Sequence, residues 1–107
     1  PMWELKKGEK DLTIMKVIVE GKKGGKKLRY TYDLLDFYDE ETQTHSMART
    51  TGYTATVALR MIASGLYRQE GLSVPEYIGN YPECVDFMLN SLAQRGVNYV
   101  ETIEEIA

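Results

Sequence analysis

The chain has 107 residues, of which 43% are hydrophobic and 27% are charged, and its formal net charge is −3. This length and composition fit one globular domain and exclude a disordered segment. The negative charge argues against a nucleic-acid or membrane-surface module, and no apolar run approaches the roughly 20 residues of a transmembrane helix. Cys84 is the only cysteine, so no internal disulfide can form, and we expect a cytoplasmic protein.

The first third of the chain predicts a β-hairpin. Residues 12–19 (LTIMKVIV) are β-branched and apolar on both faces, which favours a mostly buried strand. Residues 21–26 (GKKGGK) give a turn signal, and residues 28–34 then alternate between apolar and polar side chains, as a half-buried strand does. The acidic segment 36–46 predicts a loop.

The second half of the chain predicts two main helices and a final strand. A helix apolar almost all round is expected from about Thr50 to Ser64, with Gly65 following it as the C′ residue. A second helix is expected after Asn80, which is followed three residues later by Glu83. Its apolar stripe consists of Val85, Met88, Leu89 and Leu92. Arg95 and Gly96 are expected to end it.

A short helical turn after Ser73 and a last strand over residues 97–103 complete the predicted order β-β-α-(short α)-α-β. We therefore expect one domain over residues 1–107 of α/β (α+β) class. Its sheet should be mixed but largely antiparallel, with a β-hairpin covered by two main helices.

Motifs for complete catalytic or cofactor sites are absent from the sequence. There is no GxGxxG turn for a dinucleotide and no phosphate-binding loop, so we expect no cofactor site in this chain. His45 and Cys84 are too few and too far apart to suggest a metal site, and Cys84 fits an inert core thiol better than a nucleophile.

Two charged clusters allow a functional and a plain interpretation. The acidic run fits either a hard-cation site or a solvated loop, and the lysines fit either a basic patch or a solvated turn. The acidic residues are Asp36, Asp39, Glu40 and Glu41, and the lysines are Lys6, Lys7, Lys10, Lys22, Lys23, Lys26 and Lys27.

One segment, residues 45–53 (HSMARTTGY), combines groups suited to an anion. Arg49 precedes the predicted helix start, where free N–H groups and the helix dipole favour negative charge. Thr50 and Thr51 add hydroxyls, and Gly52 permits close approach of a ligand. These residues predict a carboxylate or phosphate pocket. The alternative is a plain N-cap at Thr50 or Thr51, with Arg49 paired to an aspartate of the preceding acidic segment, either Asp36 or Asp39.

The runs DLTIMKVIVEG, RYTYDLLDFYDEET and SMARTTGYTATVA make the chain similar to the C-terminal domain of the saccharopine dehydrogenase family, over roughly residues 10–80. The resemblance implies a fragment of an NAD(P)-dependent oxidoreductase that acts on C–N bonds of amino acids such as saccharopine or lysine, or of carboxynorspermidine. In that family an N-terminal Rossmann domain, absent here, binds NAD or NADP, so the fragment should be inactive by itself.

The resemblance further implies that this second domain shapes the substrate site and commonly the dimer interface. We accordingly expect a homodimer, a partner Rossmann domain, and a carboxylate-bearing amino-acid substrate, with neither nucleic acid nor membrane as a partner. The implied substrate-binding residues are Arg49, Thr50, Thr51 and Gly52. The catalytic residues are left unassigned, since His45 fits a surface loop and Tyr53 fits packing. Two other interpretations stay open: a non-catalytic structural or dimerisation module, and a small-anion binding domain.

Overall fold

The computed structural model describes residues 4–107, so the first three residues of the expected domain lie outside it. The described chain contains strands β1 (Leu12–Lys23), β2 (Lys26–Phe37) and β3 (Tyr99–Glu105) and helices α1 (Ser46–Ala63) and α2 (Pro82–Gln94). A 3₁₀ helix, Pro75–Asn80, precedes α2. The predicted element order is confirmed.

The three strands of the described chain form one antiparallel sheet in the order β1-β2-β3. The tight turn between β1 and β2 contains Gly24 and Gly25, both with positive φ (58° and 77°), the conformation of a type I′ hairpin turn. Twelve consecutive pairs, from Leu12 opposite Phe37 to Lys23 opposite Lys26, hold the hairpin in register. The fold class is confirmed, with a sheet that is antiparallel throughout.

The core lies between one face of the sheet and the two helices. Leu34 of β2, Val57 of α1, Leu92 of α2 and Val97 form one buried cluster. A second cluster joins Met61, Tyr67 and Cys84 between the helices. Both helices therefore cover the same face, as predicted, and Cys84 is the core residue expected of it.

The burial predicted for the first strand is wrong. β1 lies at the edge of the sheet, and Ile14, Ile18 and Val19 are 74%, 55% and 55% exposed. The hairpin extends past the helices, and the radius of gyration of 16.5 Å exceeds the roughly 13 Å of a compact domain of about 100 residues. The apolar sequence of β1 favours contact with other apolar side chains. Within residues 4–107, no element covers most of the apolar side chains of this strand.

Helix α1 begins four residues earlier than predicted and is less buried. Its first residue is Ser46, so the predicted loop shortens to residues 38–45, because Asp36 and Phe37 belong to β2. One side of α1 packs on the core, but Met47 and Leu59 are 71% and 66% exposed. The predicted end holds. Gly65 (φ 77°) donates its N–H to the carbonyl of Ile62, and Leu66 donates to that of Met61, which is a Schellman motif.

Helix α2 also starts close to its predicted position. Its N-cap is Tyr81 rather than Asn80. Pro82 occupies the first turn, where backbone N–H groups have no acceptor within the helix, so the lack of an N–H in proline costs no hydrogen bond. Gln94 ends the helix and Gly96 follows with φ 79°, as predicted. The last strand, β3, starts two residues later than expected because Val97 turns into the core.

Candidate functional site

The N-terminus of α1 is capped by a carboxylate from a distant part of the chain. Asp11, just before β1, accepts hydrogen bonds from the backbone N–H groups of Ser46 (2.6 Å) and Met47 (2.9 Å). Burial is the largest single influence and acts to raise the pKa of Asp11, but the hydrogen bonds from the Met47 and Ser46 N–H groups, together with smaller contributions from its own N–H and from His45, hold the pKa below its usual value. The anion that the helix N-terminus favours is therefore supplied by the chain itself.

Arg49 lies in the first turn of α1 and points into the core, not ahead of the helix as predicted. Its Nε donates to Oδ2 of Asp36 at 3.2 Å and its Nη2 donates to Oδ1 at 3.3 Å, a two-pronged contact. Nη1 reaches Oδ2 of Asp39 at 3.2 Å. Arg49 and Asp36 are 7% and 3% exposed. These hydrogen bonds to Asp36, foremost, raise the pKa of Arg49 above its already high value.

The same cluster contains Ser46, which is fully buried. Its Oγ lies 2.7 Å from Oδ2 of Asp36 and 2.8 Å from Oγ1 of Thr13 on β1. Asp36 thus accepts from both a hydroxyl and a guanidinium, so its charge is compensated although it is out of water. The cluster fastens the first turn of α1 to the two hairpin strands.

The loop after α2 closes over the guanidinium of Arg49. Nη2 donates to the carbonyl of Arg95 at 3.1 Å. A Cβ atom on Gly96 would come within 3.1 Å of the same Nη2, and the positive φ of Gly96 also disfavours a side chain. A glycine at position 96 therefore allows the backbone turn that ends α2, and it leaves room for the guanidinium of Arg49.

An open groove of about 770 Å³ lies between the start of β1 and the first two turns of α1. Leu12, Met47 and Ala48 contribute apolar side chains to it, and Asp11, Thr51 and Gly52 also line it. Thr51 and Gly52 are exposed on α1. The groove has an apolar wall with few polar groups, the usual character of a small-molecule site.

The structure separates the four predicted substrate-binding residues into two sets. Thr51 and Gly52 face the groove. Arg49 is held by Asp36 and Asp39, the contact left open as the alternative, and Thr50 hydrogen-bonds within α1 to the carbonyl of Ser46. The plain N-cap considered for Thr50 or Thr51 is wrong, because both lie inside the helix. A substrate-binding role for the four residues stays a prediction.

His45 and Tyr53, the first and last residues of the segment 45–53, both make contacts within the described chain. His45 is the N-cap residue, its Nε2 donates to the carbonyl of Glu9 at 3.1 Å, and its ring meets that of Tyr38 edge-on. Tyr53 packs against the core cluster, and the guanidinium of Arg49 lies 5.5 Å from the centre of its ring.

The acidic cluster of the sequence resolves into ordinary contacts. Asp36 is buried rather than solvated. Asp39 accepts from Glu41 N–H and from the hydroxyl of Thr42, and Glu40 pairs with Lys10. Residues 4–107 hold no group of three or more His, Cys, Asp or Glu placed to bind a metal ion. Burial, with a further contribution from the Glu83 carboxylate, raises the pKa of the Cys84 thiol, which disfavours the reactive thiolate.

Across the described part of the chain, no helix is long and apolar enough to span a bilayer. The chain matches the family described as Saccharopine dehydrogenase C-terminal domain over residues 1–97 of its 107. The chain belongs to this family. The match contains the groove, the buried cluster and both helices, and it confirms the resemblance seen in the sequence. No solved structure matches the chain significantly.

In this saccharopine dehydrogenase C-terminal domain, sequence reasoning missed the two residues that organise the site. Asp11 and Ser46 were assigned no role, yet one caps α1 and the other joins α1 to the hairpin. A polar residue before a strand and a serine before a helix are weak signals when taken alone. Their partners lie 35 and 10 residues away in the sequence, so only the folded topology brings them together.

Proposed function

We propose that this chain is the substrate-side part of an NAD(P)-dependent oxidoreductase that acts on C–N bonds of amino acids, as saccharopine and lysine dehydrogenases do. We further propose that it contributes to homodimerisation of that enzyme. Membership in the saccharopine dehydrogenase C-terminal domain family is the observation that carries the proposal. In the parent enzyme an N-terminal nucleotide-binding domain would hold NAD or NADP, and this domain would face it across the substrate.

Such an enzyme depends on positioning. Hydride transfer requires the substrate carbon to lie a few ångströms from the nicotinamide, and the cofactor supplies the chemistry. A domain that positions a substrate needs a rigid surface. Asp11 fixes the start of α1 and the Arg49–Asp36 pair fixes its first turn, and this supports Thr51 and Gly52 as the substrate-facing residues.

Gly52 gives independent support for a partner at the groove. A glycine inside a helix costs about 1 kcal/mol relative to alanine. A Cβ atom at Gly52 would meet nothing within 4 Å, so packing within the described chain does not require a glycine there. A substrate or a parent domain that approaches the helix backbone closely would require one.

In this proposal Arg49 and Thr50 do not contact the substrate but stabilise the first turns of α1, which carry Thr51 and Gly52. The rest of the parent enzyme supplies the groups that bind the substrate carboxylates. The alternative of a small-anion binding domain is weaker, because Asp11 already occupies the N-terminus of α1 and an added anion would meet its charge. A non-catalytic association module has one observation in its favour, the exposed apolar strand β1.

The experiment has two parts. Calorimetry on this chain with NAD and with NADP should detect no binding in the micromolar range, because the chain has no glycine-rich turn for the pyrophosphate. The parent enzyme should reduce the nicotinamide cofactor with lysine, saccharopine or carboxynorspermidine. Micromolar cofactor binding by the chain would contradict the proposed division of labour, and a parent inactive with every substrate of this class would leave the association module as the function.

A further inference from the structure

The outer edge of β1 is neither short nor interrupted by a bulge or a proline, three of the features that usually protect an edge strand. The strand is 12 residues long, its register with β2 has no interruption, and its sequence LTIMKVIVEGKK contains no proline. Within residues 4–107 it has β2 on one side and no strand on the other. Long, regular and apolar edges of this kind are templates for pairing with another strand.

The free hydrogen-bonding groups of this edge can be assigned from the register. Tyr38 donates its N–H to the carbonyl of Asp11 at 3.0 Å, so residue 11 is in a hydrogen-bonded pair with β2. Such pairs recur at every second residue of an antiparallel ladder. Odd-numbered residues of β1 therefore bond to β2, and the even-numbered residues direct their N–H and C=O groups to the open edge. These are Leu12, Ile14, Lys16, Ile18, Glu20 and Lys22.

We infer that β1 pairs with β1 of a second copy of this chain, antiparallel and about a two-fold axis at Ile18, to form a continuous six-stranded sheet. The inference rests on the homodimerisation included in the proposed function and names the surface responsible. In this register Ile18 faces its own copy, and the flanking residues Lys16 and Glu20 each face the other in the second copy. Helices of both copies lie on the same face of the joined sheet.

Charge selects this register among those that the backbone allows. An axis at Lys16 or at Glu20 would place like charges opposite each other, and such pairs are destabilising. An axis at Val19 would oppose Lys16 to Lys22. An axis at Val17 would oppose Lys16 and Glu20 to isoleucines and would form no pair of opposite charges. The axis at Ile18 opposes Lys16 to Glu20 twice, once on each side of the axis.

Ion pairs already present on the outer face of the sheet extend this complementarity. Lys16 pairs with Asp33 at 3.2 Å, and Arg29 pairs with Glu20 at 2.7 Å and with Glu104 at 3.6 Å. Joined at Ile18, the two copies form a row of alternating sign, from Asp33 and Lys16 of one to Glu20, Arg29 and Glu104 of the other. A partner strand of unrelated sequence has no reason to continue this row.

The other edge of the sheet is a poorer candidate. β3 carries glutamates at positions 101, 104 and 105 in seven residues, and pairing two copies of it would bring together several negative charges. Charged residues on an exposed edge are a common defence against association. The outer edge of β1 carries Lys16 and Glu20, which complement each other across the proposed axis, and Lys22, which this register places opposite Ile14 of the second copy.

Charge variants test the register. Sedimentation equilibrium should show wild-type dimers, whereas Lys16→Glu and Glu20→Lys should each weaken association about tenfold or more, because each opposes like charges at both pairs. An equimolar mixture of the two variants should regain wild-type association, since the two acidic side chains of one variant would face the two basic side chains of the other. Failure of the mixture to recover would overturn the register.

Proline variants test the edge itself. Ile18→Pro removes an N–H that points away from β2, so the monomer should keep its circular-dichroism spectrum and lose the dimer. Ile103→Pro is the matched control, because Ile106 donates to the Lys27 carbonyl and Ile103 therefore also directs its N–H outward, on β3. The control should leave association unchanged.

Two results would overturn the inference, and only one of them would also reject homodimerisation by this domain. A wild-type chain that is monomeric at several hundred micromolar would reject both the β1 surface and homodimerisation by this domain. Wild-type dimers that persist unchanged in Ile18→Pro would reject the β1 surface alone. Neither result bears on the substrate role, which the activity of the parent enzyme decides.

Discussion

Arg49 illustrates how one side chain can suit two roles until its surroundings are known. Its guanidinium binds Asp36 at two points, contacts Asp39, and donates to the carbonyl of Arg95. Nearly all of its donors are therefore used within the chain. A substrate carboxylate at Arg49 would have to displace Asp36, whose own charge would then be buried without compensation.

Arg49→Ala should accordingly lower the free energy of unfolding by about 3 kcal/mol or more, because it leaves Asp36 charged, buried and unpaired. This is larger than the cost of about 1 kcal/mol or less that is expected for an ion pair near the surface. Chemical denaturation measures the loss. Arg60→Ala, an exposed arginine of the same helix, should change stability by less than about 0.5 kcal/mol. A small loss of stability in Arg49→Ala, together with a large fall in kcat/KM of the parent enzyme, would instead make Arg49 a substrate ligand.

Among the elements, the pairing of β2 with β3 includes an ionisable contact on the exposed part of the sheet. Tyr32 lies opposite Glu101, and its hydroxyl donates to the glutamate carboxylate. This hydrogen bond, with smaller contributions from burial and charge, raises the pKa of Tyr32 to about 12. The phenol remains protonated in the folded chain at a pH where it ionises in the unfolded chain.

The sign of the resulting pH dependence follows from linkage. The contribution of Tyr32 to stability is present in full below its unfolded pKa of about 10 and is lost as the pH rises from there to about 12. Denaturation at a series of pH values should show a steeper loss of stability for the wild type than for Tyr32→Phe in this interval. Equal slopes for the two proteins would show that the contact does not hold in solution.

Element identities follow from the sequence far better than element boundaries and burial do. The hairpin turn, the Schellman end of α1 and the end of α2 each rest on a local glycine signal, and all three were predicted. The start of α1 was misplaced by four residues because its cap is Asp11, which lies 35 positions from Ser46 and carries no local signature. Long-range partners of this kind are invisible to periodicity.

At the scale of the whole molecule, the sequence predicted the layer arrangement but not the surface. The pattern LTIMKVIV is the same for a central strand and for an edge strand that awaits a partner, so the burial of β1 could not be decided from it. The candidate site was predicted in part. Thr51 and Gly52 lie at the groove, whereas the role of Arg49 depends on the burial of Asp36, which an acidic run in the sequence does not reveal.

The family assignment and the exposed surfaces are consistent with one another. In the proposed function, a domain that works between a nucleotide-binding domain and a second subunit would need two surfaces besides its core. The groove beside α1 and the open edge of β1 are two such surfaces. Both involve β1, but the groove lies at its first residues, whereas the proposed pairing is centred on Ile18, six residues further along the strand. Changes at Gly52 and at Ile18 should therefore act independently, which allows the substrate role and self-association to be tested separately.

The central claim is that the groove beside Thr51 and Gly52 faces the substrate while the cofactor is held elsewhere. Kinetics of the parent enzyme with Gly52→Val test it most directly, because Gly52 lines the groove and a Cβ atom at this position would meet nothing within 4 Å in the described chain. The control is Gly79→Val, at a glycine whose surroundings are equally open and which lies outside the groove.

We predict that Gly52→Val lowers kcat/KM for the amino-acid substrate by about tenfold or more, equivalent to about 1.4 kcal/mol, and leaves the Kd for NAD(P) unchanged. Gly79→Val should alter neither quantity. A Gly52→Val enzyme with wild-type kcat/KM, or one in which the Kd for the cofactor changes as much as kcat/KM does, would contradict the account.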